Sequence, residues 1–510
     1  MNSCSKNKFG FLLLFFFAFT FFVAAQHHKR QMRAVWVATV HNIDFPSDST
    51  LTTGEQKKEL IDLLDNFKEC NLNTVIFQAR PTSDAFYFSN IESWSQFLTG
   101  KAGRAPEPFY DPLQFLIDEA HKRCMEVHVW LNPYRVLNSA DTTQICPSHL
   151  FFKKPELFVK YGGKYYFNPA HEETREYINR VVKDIVQRYD IQAVHFDDYF
   201  YPYTVAGEKF PDAQDFADNP RNFENIGDWR RDNVNTVIKE LKATIKSTKP
   251  WVEFGISPCG VWRNRDRDKR GSNTKAGQTN YDNLYADLLY WIENDYIDYV
   301  IPQLYWAIGN QSVDYAIVAE WWNRHSKNVN LYTGLYASGL GTGKETSPWR
   351  KGNELARQLK FNERFENISG VALYSGRPFS KNPQGLRDSL QKNHFKYPAL
   401  VPINKLTKAG NNDRIRNLRI RHQKEKTELK WDALTGKDGN ATMFYVLYYF
   451  KGDEIGDTED PKNILTLTTQ NSVNLQELTK SLKGTYTFAV TSVNRWKHES
   501  EVKSFTTVEF

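Results

Sequence analysis

From Met32 onward, short apolar runs alternate with longer amphipathic stretches, and the alternation repeats eight times over roughly 360 residues. The amphipathic stretches have helical spacing, as in Glu55–Glu69, where apolar residues from Leu60 to Phe67 share one face. Continuous apolar strands separated by helices are typical of a parallel sheet covered on both faces. Eight such units predict an α/β fold, the (β/α)8 or TIM barrel.

The bounds of the predicted elements follow from the same periodicity. The strands are predicted at Arg33–Val40, Thr74–Ala79, Val127–Leu131, Ala193–Phe196, Val252–Ile256, Tyr299–Leu304, Leu331–Leu335 and Val371–Tyr374. The helices are predicted at Glu55–Glu69, Pro112–Arg123, Glu172–Arg188, Asp228–Ser247, Tyr281–Asn294, Val313–His325, Lys351–Phe365 and Pro383–Lys392.

Polar and aromatic side chains cluster at the C-terminal ends of the predicted strands, and the N-terminal ends show no such cluster. In TIM barrels the reactive residues lie at the C-terminal ends of the strands, so this rim is predicted to be the binding face. The loop after strand four, Tyr199 to Gly227, is long and rich in aromatic residues, which favours a cleft for an extended ligand. The candidate ligand-binding residues are Gln78, Arg80, Asn132, Tyr134, Arg135, His195, Tyr199, Trp262, Arg263, Gln303, Trp306, Tyr336 and Tyr374.

The chemistry is predicted to centre on the end of strand four. Alternation along the strand turns His195 and Asp197 toward the barrel axis and leaves Asp198 on the rim. Two neighbouring, partly desolvated carboxylates raise at least one pKa, which suits a general acid. Two alternatives stay open: Asp198 caps the following loop, or the pair binds a metal. No HxH or helical His pair supports the metal, so neither metal nor cofactor is expected.

Aromatic residues make up 15% of the chain, which hints at stacking on sugar rings. Glycoside hydrolysis usually needs two carboxylates, yet predicted strands five to eight end without Asp or Glu. The partner of the strand-four pair would then be Asp44 or Asp84, or the 2-acetamido group of the substrate itself. In that second scheme Asp197 orients the acetamide nitrogen, Asp198 is acid and base, and Tyr305 holds the acetamide oxygen.

The other rim groups have sugar-binding chemistry. Arg80 and Arg135 could hold a carboxylate, such as the lactyl group of N-acetylmuramic acid, through paired hydrogen bonds. Asn132 and Gln303 can donate to and accept from hydroxyls. Flat apolar faces for pyranose rings are offered by Trp262, Trp306 and Tyr336.

The N-terminus predicts export. An apolar run from Phe9 to Val23 follows Lys6 and Lys8 and ends in small residues, the pattern of a signal peptide over residues 1–25. Its removal would lower the formal charge of +6 by two, to +4, which gives no case for nucleic-acid binding. No later segment predicts a membrane span. Four cysteines remain, and their spacing assigns no disulfide.

A second domain is predicted after a linker at residues 396–412, which contains Pro398, Pro402 and Gly410. Over residues 413–510 the pattern becomes period two, which predicts a small all-β sandwich. Trp431 and Tyr486 make this domain resemble a fibronectin type III sandwich, with Tyr486 as the candidate tyrosine corner.

Seven barrel segments, in order along the chain, resemble the glycoside-hydrolase-like family ten. They are Met32–Val40, Phe77–Pro81, Trp130–Arg135, His195–Pro202, Gly255–Pro258, Gly260–Asn264 and Pro302–Trp306. The resemblance covers residues 30–395 and implies a TIM barrel that hydrolyses peptidoglycan strands stripped of their stem peptides. It also implies that Asp197 and Asp198 form the catalytic region. A hydrolase of another polysaccharide and a non-catalytic glycan-binding barrel are the alternatives.

Overall fold

A computed structural model describes residues 28–351, 353–407, 412–423, 426–480 and 482–510. The predicted signal peptide lies outside the described residues. The strands, in chain order, are β1 (Met32–Val37), β2 (Thr74–Arg80), β3 (Glu126–Leu131), β4 (Arg135–Leu137), β5 (Phe158–Tyr161), β6 (Lys164–Phe167), β7 (Ala193–Phe196), β8 (Glu253–Ile256), β9 (Tyr299–Val300), β10 (Asn330–Leu335), β11 (Ile368–Tyr374), β12 (Arg419–Gln423), β13 (Lys426–Lys430), β14 (Thr442–Lys451), β15 (Ile464–Thr468), β16 (Ser472–Asn474), β17 (Thr485–Asn494) and β18 (Phe505–Glu509).

Eight of these strands close into a parallel barrel in the order β1-β11-β10-β9-β8-β7-β3-β2. The predicted TIM barrel is therefore confirmed. The α-helices are α1 (Thr53–Glu69), α2 (Gln96–Thr99), α3 (Pro112–Lys122), α4 (Leu150–Lys153), α5 (Glu172–Arg188), α6 (Ala213–Asp218), α7 (Ile226–Thr248), α8 (Leu288–Glu293), α9 (Tyr315–His325), α10 (Glu354–Asn362), α11 (Arg377–Lys381), α12 (Leu386–Ser389) and α13 (Leu475–Leu478).

The helix predicted at Tyr281–Asn294 is much shorter in the structure. Helix α8 begins only after Asp287, whose side chain accepts a hydrogen bond from the Tyr290 amide and caps the helix. The residues before it are loop, with Tyr285 at a positive φ of 53°. Apolar periodicity extended the prediction into this loop because Leu284 and Ala286 are buried there without being helical.

The barrel interior is filled by the inward residues of its strands. Trp36, Ile76, Trp130, Tyr299 and Tyr332 belong to one buried cluster on the axis. A separate, larger apolar cluster lies between the strands and the helices around them. The Tyr299 ring fits because its neighbour is Gly255, where a Cβ would lie 1.9 Å from Tyr299 Cζ. The barrel interior is thus a packed core and not an open pore.

The C-terminal region forms two antiparallel sheets, β12-β13-β16 and β15-β14-β17-β18. Trp431 and Phe488 lie in the cluster between the sheets. The other face of the four-stranded sheet packs Phe444 and Val446 together with Leu400 and Cys124. Strands β14 and β17 are thus buried on both faces.

The boundaries of this region and its likeness to fibronectin type III stay predictions. The ring of Tyr486 stacks on Tyr449, with the ring centres 6.2 Å apart. Within the predicted linker, Leu400 and Val401 are buried, and the Gln31 amide donates to the Leu400 carbonyl over 2.8 Å. This part of the chain is therefore tied to the barrel. The four described cysteines are free. Every helix among the described residues is too short or too polar to cross a membrane.

Candidate active site

The two predicted catalytic carboxylates follow β7 directly, at the C-terminal end of the barrel. Asp197 is 4% exposed and Asp198 is 5% exposed. Because β7 ends at Phe196, the two side chains leave the regular alternation of the strand and both reach the rim cluster of polar and aromatic groups. Two carboxyl groups are therefore held side by side in a site with little water.

Asp197 is held by nitrogen donors. Trp130 Nε1 donates to its Oδ2 over 3.2 Å, the Asn132 amide also donates to Oδ2, and the Tyr199 backbone amide donates to Oδ1 over 3.2 Å. Burial raises the pKa of Asp197, while the charge of Arg135 and these three donors oppose the rise. The hydrogen bonds favour the ionised form, so Asp197 is the better anion of the pair.

The Asn132 amide that contacts Asp197 is itself oriented by Gln78 and Arg135. Asn132 Oδ1 accepts from Gln78 Nε2 over 2.7 Å and from Arg135 Nη2 over 2.8 Å, which leaves its amide nitrogen to face Asp197. Gln78 Oε1 in turn accepts from the backbone amides of Thr39 and Val40, both over 2.9 Å. Each amide is thus fixed in one orientation by its other bonds.

Asp198 is the member of the pair that retains a proton. Burial and then the neighbouring charge of Asp197 raise the pKa of Asp198 to about 7, against hydrogen bonds from Tyr203 and Gln303 that lower it. The Tyr203 hydroxyl donates to its Oδ2. Gln303 is anchored by its Nε2, which donates to the Ser257 carbonyl over 2.9 Å. A carboxyl group with a pKa near neutrality is suited to give and take a proton.

An aromatic wall borders the carboxylates on the side of β9, β10 and β11. The ring centre of Tyr305 lies 5.4 Å from that of Tyr336 and 5.7 Å from that of Tyr374. Tyr336 also meets Trp349 edge to face at 5.5 Å. Burial and the neighbouring phenols and carboxylates raise the pKa of Tyr305 well above its usual value, so its hydroxyl stays a hydrogen-bond donor.

The opposite side of the site is cationic. The Arg135 guanidinium lies 5.0 Å from the ring centre of Tyr199 and donates from Nε to the Pro81 carbonyl over 3.0 Å. Tyr199 meets Tyr203 edge to face at 5.6 Å. A cation held in place next to two aromatic rings can bind an anionic substituent of a sugar.

Arg80 does not face the site. Its Nε lies 2.9 Å and 2.8 Å from the two carboxylate oxygens of Glu92, and its Nη2 donates to Glu92 Oε1 over 2.6 Å and to Ser83 over 2.9 Å. The guanidinium is 1% exposed. Its donors are used inside the protein, so the expectation that it binds a ligand carboxylate has no support in its position.

Three further candidates near the rim are packed against or paired with other protein side chains. Trp262 is buried, with its ring stacked on Trp321 at 5.9 Å, so its face is covered. Arg263 donates to both carboxylate oxygens of Asp282. Tyr134 is buried in the apolar layer around the barrel. The alternation at strand ends could not separate these positions from the site, because the chain turns irregularly beyond each strand.

Two more candidates lie close to the carboxylates without contacting them. His195 is fully buried on the barrel axis below the rim, where its Nε2 lies 2.9 Å from Ser257 Oγ. Trp306 is half-buried and packs against Gly260, where an added Cβ would lie 2.5 Å from its ring. The inward orientation predicted for His195 agrees with this placement.

The two proposed second carboxylates are both engaged elsewhere. Asp44 is buried and accepts from the Ala38 amide over 2.8 Å and from Ser375 Oγ over 2.7 Å. Asp84 accepts from the Thr82 amide over 2.9 Å. Asp44 joins the segments that follow β1 and β11, and Asp84 bonds within its own loop. These contacts favour the scheme that needs no second protein carboxylate.

The sequence-based reasoning missed Tyr203 and Trp130 as site residues. Tyr203 was visible as one of several aromatic residues in the loop after strand four, but only the folded loop shows that it reaches Asp198. Trp130 lies two residues before Asn132, on the same inward face of β3. The period-two rule could have identified it.

The family described as Glycosyl hydrolase-like 10 matches residues 31–351, which confirms the resemblance of the barrel segments. The chain is 39% identical to "Glycosyl hydrolase YngK" of Bacillus subtilis (strain 168), covering 99% of this chain and 100% of that protein. It is 37% identical to "Glycosyl hydrolase DigH" of Escherichia coli (strain K12), over 68% of this chain and 84% of that protein. The glycoside hydrolase domain of PgaB (BpsB) from Bordetella bronchiseptica aligns with a TM-score of 0.45 and 13% identity, over 71% of this chain and 99% of that one.

Proposed function

Since the chain belongs to the glycosyl hydrolase-like 10 family and is a glycoside hydrolase, we propose that it is exported and cleaves amino-sugar glycans, with peptide-free peptidoglycan strands as its substrate. One observation carries the proposal about its chemistry. Asp198 is buried beside Asp197, and its burial together with the neighbouring charge of Asp197 raises the pKa of Asp198 to about 7. Such a group can protonate the leaving oxygen of a glycosidic bond near neutral pH.

The arrangement of the site supports a substrate-assisted reaction. Asp197 is held as an anion and would accept the N–H of a 2-acetamido group. The Tyr305 hydroxyl, kept protonated, would donate to the acetamide oxygen, which attacks the anomeric carbon. Asp198 would give its proton to the departing oxygen and then take one from the water that opens the intermediate. Asp44 and Asp84 need no role in this scheme, which agrees with their bonds to the rim loops.

The flanking groups support a muramic-acid-containing glycan. Arg135 is the cation that borders the site, and the lactyl carboxylate of N-acetylmuramic acid is the anion it would hold. Tyr336 and Tyr374 offer half-buried ring faces to neighbouring sugars. The resemblance of the barrel segments to the family supports the same substrate.

A reducing-end assay with the purified protein tests the substrate. We expect products from peptidoglycan strands whose stem peptides have been removed, and little from intact peptidoglycan or from chitin oligomers. Equal hydrolysis of chitin oligomers would contradict the role of the lactyl group. Binding of the stripped strands without any product would contradict the proposed reaction.

Arg135→Met sharpens the assignment of the lactyl group. Because Arg135 also orients Asn132 toward Asp197, we expect the variant to lose activity on both substrates. The loss should be larger on peptide-free strands, since chitin oligomers carry no carboxylate. Arg263→Met is the matched control, because Arg263 lies on the same rim but pairs with Asp282. An equal loss on both substrates would assign Arg135 to the support of Asp197 alone.

A further inference from the structure

A column of buried polar side chains runs along the barrel axis from its N-terminal end to the rim. Lys497 lies 3.4 Å from Glu126 Oε2, which lies 3.2 Å from His128 Nε2. His128 Nδ1 lies 2.9 Å from the Tyr299 hydroxyl, which lies 3.1 Å from His195 Nδ1. The column ends two residues before Asp197.

The donor at the upper end of the column indicates which nitrogen of His195 carries its proton. Trp36 Nε1 can only donate, and it lies 3.3 Å from His195 Nε2, so that nitrogen is unprotonated. The proton of His195 is therefore on Nδ1 and is donated to the oxygen of Tyr299. Tyr299 then donates to His128 Nδ1, and His128 donates from Nε2 to Glu126.

At the lower end of the column, the C-terminal region supplies a positive charge beside Glu126. Lys497 follows β17, is 4% exposed, and lies 2.7 Å from Glu253 Oε1 as well as near Glu126. Burial alone would raise the pKa of Glu126, but Lys497 and His128 together lower it. Glu126 therefore stays an ionised acceptor, which makes His128 Nε2 the donor at this end of the column.

The upper end connects this column to the carboxylates through β8. Ser257 Oγ lies 2.9 Å from His195 Nε2, and the Ser257 carbonyl accepts from the Gln303 amide that also bonds Asp198. A reversed column would place an N–H of His195 against the N–H of Trp36. A doubly protonated His195 would add a positive charge beneath Asp197 and favour the loss of the proton that Asp198 needs.

We propose that Lys497 is a positioning residue for the reaction, because it holds Glu126 as the acceptor at the base of the column and so keeps the column and His195 in one arrangement beneath Asp197 and Asp198. The C-terminal region is then a working part of the hydrolase, since it supplies the cation that closes the base of the barrel. This inference rests on the proposed function for its kinetic consequences, while the direction of the column can be observed independently.

A neutron crystal structure of the deuterated full chain tests the direction. We expect deuterium on His195 Nδ1 and His128 Nε2 and none on His195 Nε2. Deuterium on His195 Nε2 would overturn the proposal, whatever the enzyme hydrolyses.

Lys497→Met tests the kinetic consequence. We expect kcat on peptide-free peptidoglycan strands to fall about tenfold with KM changed by less than about twofold, since geometry and proton placement are lost while the binding surface is intact. Arg495→Ala is the matched control, because it removes the ion pair with Asp190 at the same interface and leaves the column complete. Equal falls of kcat in the two variants would show that Lys497 only attaches the domain.

Tyr299→Phe and Tyr332→Phe decide the question if Lys497→Met does not fold. The two rings are neighbours on the axis, 5.8 Å apart, but only the Tyr299 hydroxyl belongs to the column. We expect kcat to fall about tenfold in Tyr299→Phe and to change by less than about twofold in Tyr332→Phe. Equal kcat values would overturn the proposal. If the wild-type chain hydrolysed none of these glycans, the proposed function would be contradicted. The neutron structure would still test the proton positions on His195 and His128.

Discussion

Both ends of the barrel bury carboxylates, but the strongest charged neighbours of those carboxylates differ between the two ends. At the N-terminal end, Asp298 lies 2.7 Å from Lys242 and 3.1 Å from Lys246. Despite its burial, the two lysines bring the pKa of Asp298 down to about 2. At the rim, Asp198 has another carboxylate as its strongest charged neighbour, and its pKa rises to about 7. Equal burial thus gives opposite shifts, and the sign depends on the neighbouring charge.

This difference is expected to separate a structural end from a reactive end. Carboxylates that are paired with lysines join elements of the barrel to each other and to the C-terminal region. A buried carboxyl group whose strongest charged neighbour is another carboxylate costs stability at neutral pH, and proteins accept that cost where a proton must be exchanged. The rim pair is therefore expected to contribute to catalysis and the lower carboxylates to folding.

Asp198→Asn gives the largest expected effect. The amide cannot donate the catalytic proton, so we expect hydrolysis to fall by about 10²–10⁴-fold, as measured by reducing-end release. Thermal unfolding at pH 8 should occur at a temperature no lower than in the wild type, because the variant removes a buried charge. The exposed Asp118 on α3 is the matched control, and Asp118→Asn should change neither quantity. If the Asp198→Asn variant were strongly destabilised but active, Asp198 would have a structural role instead of a catalytic one.

Asp298→Asn tests the lower end. A carboxyl group whose folded pKa lies below its unfolded value stabilises the protein above the unfolded pKa, and this stability is lost as the pH falls toward the folded value. With a folded pKa of about 2, Asp298 contributes roughly 2 kcal/mol at neutral pH. At pH 7 we expect the free energy of unfolding of the variant to be lower than that of the wild type by this amount. As the pH falls from about 4 to about 2, the free energy of unfolding should decrease less in the variant than in the wild type. Urea unfolding at several pH values measures both, and an unchanged acid dependence would contradict the role of the lysines.

Asp197→Asn tests the repulsion within the rim pair. Without the neighbouring charge, the pKa of Asp198 falls, so the alkaline decline of activity should move to lower pH by about one unit. The pH profile of kcat/KM, normalised to its own maximum, separates this shift from the loss of the acetamide partner. A decline that stays at the same pH would assign the raised pKa to burial alone.

Tyr203→Phe gives the smallest expected effect, with the opposite sign. The Tyr203 hydroxyl donates to the ionised form of Asp198 and thereby lowers its pKa. Its removal should move the alkaline decline to higher pH by less than about one unit. Tyr199→Phe serves as the control. The Tyr199 ring contacts Tyr203, but its hydrogen bond to Asp197 comes from the backbone amide, which the substitution keeps. A shift to lower pH in Tyr203→Phe would mean that the tyrosine is the acceptor.

The barrel could be predicted from the sequence because each strand and helix repeats a local pattern. The Asp197–Asp198 pair was equally visible as two adjacent acidic residues at the end of a predicted strand, although alternation assigned Asp197 to the axis and only Asp198 to the rim. The partners of Arg80 and Trp262 could not be predicted from such a pattern. Glu92 reaches Arg80 from the irregular loop after β2, and Trp321 reaches Trp262 from helix α9. The ion pairs of Lys497 were hidden for the same reason, since they join the C-terminal region to strands β3 and β8 of the barrel.

Infrared difference spectra of the wild type minus Asp198→Asn, recorded from pH 4 to pH 9, test most directly whether Asp198 holds a proton at neutral pH. The protonated carboxyl band isolates this single side chain. A midpoint near pH 7 is the result predicted here. A midpoint below about pH 5 would show an ordinary ionised aspartate and contradict its role as the acid.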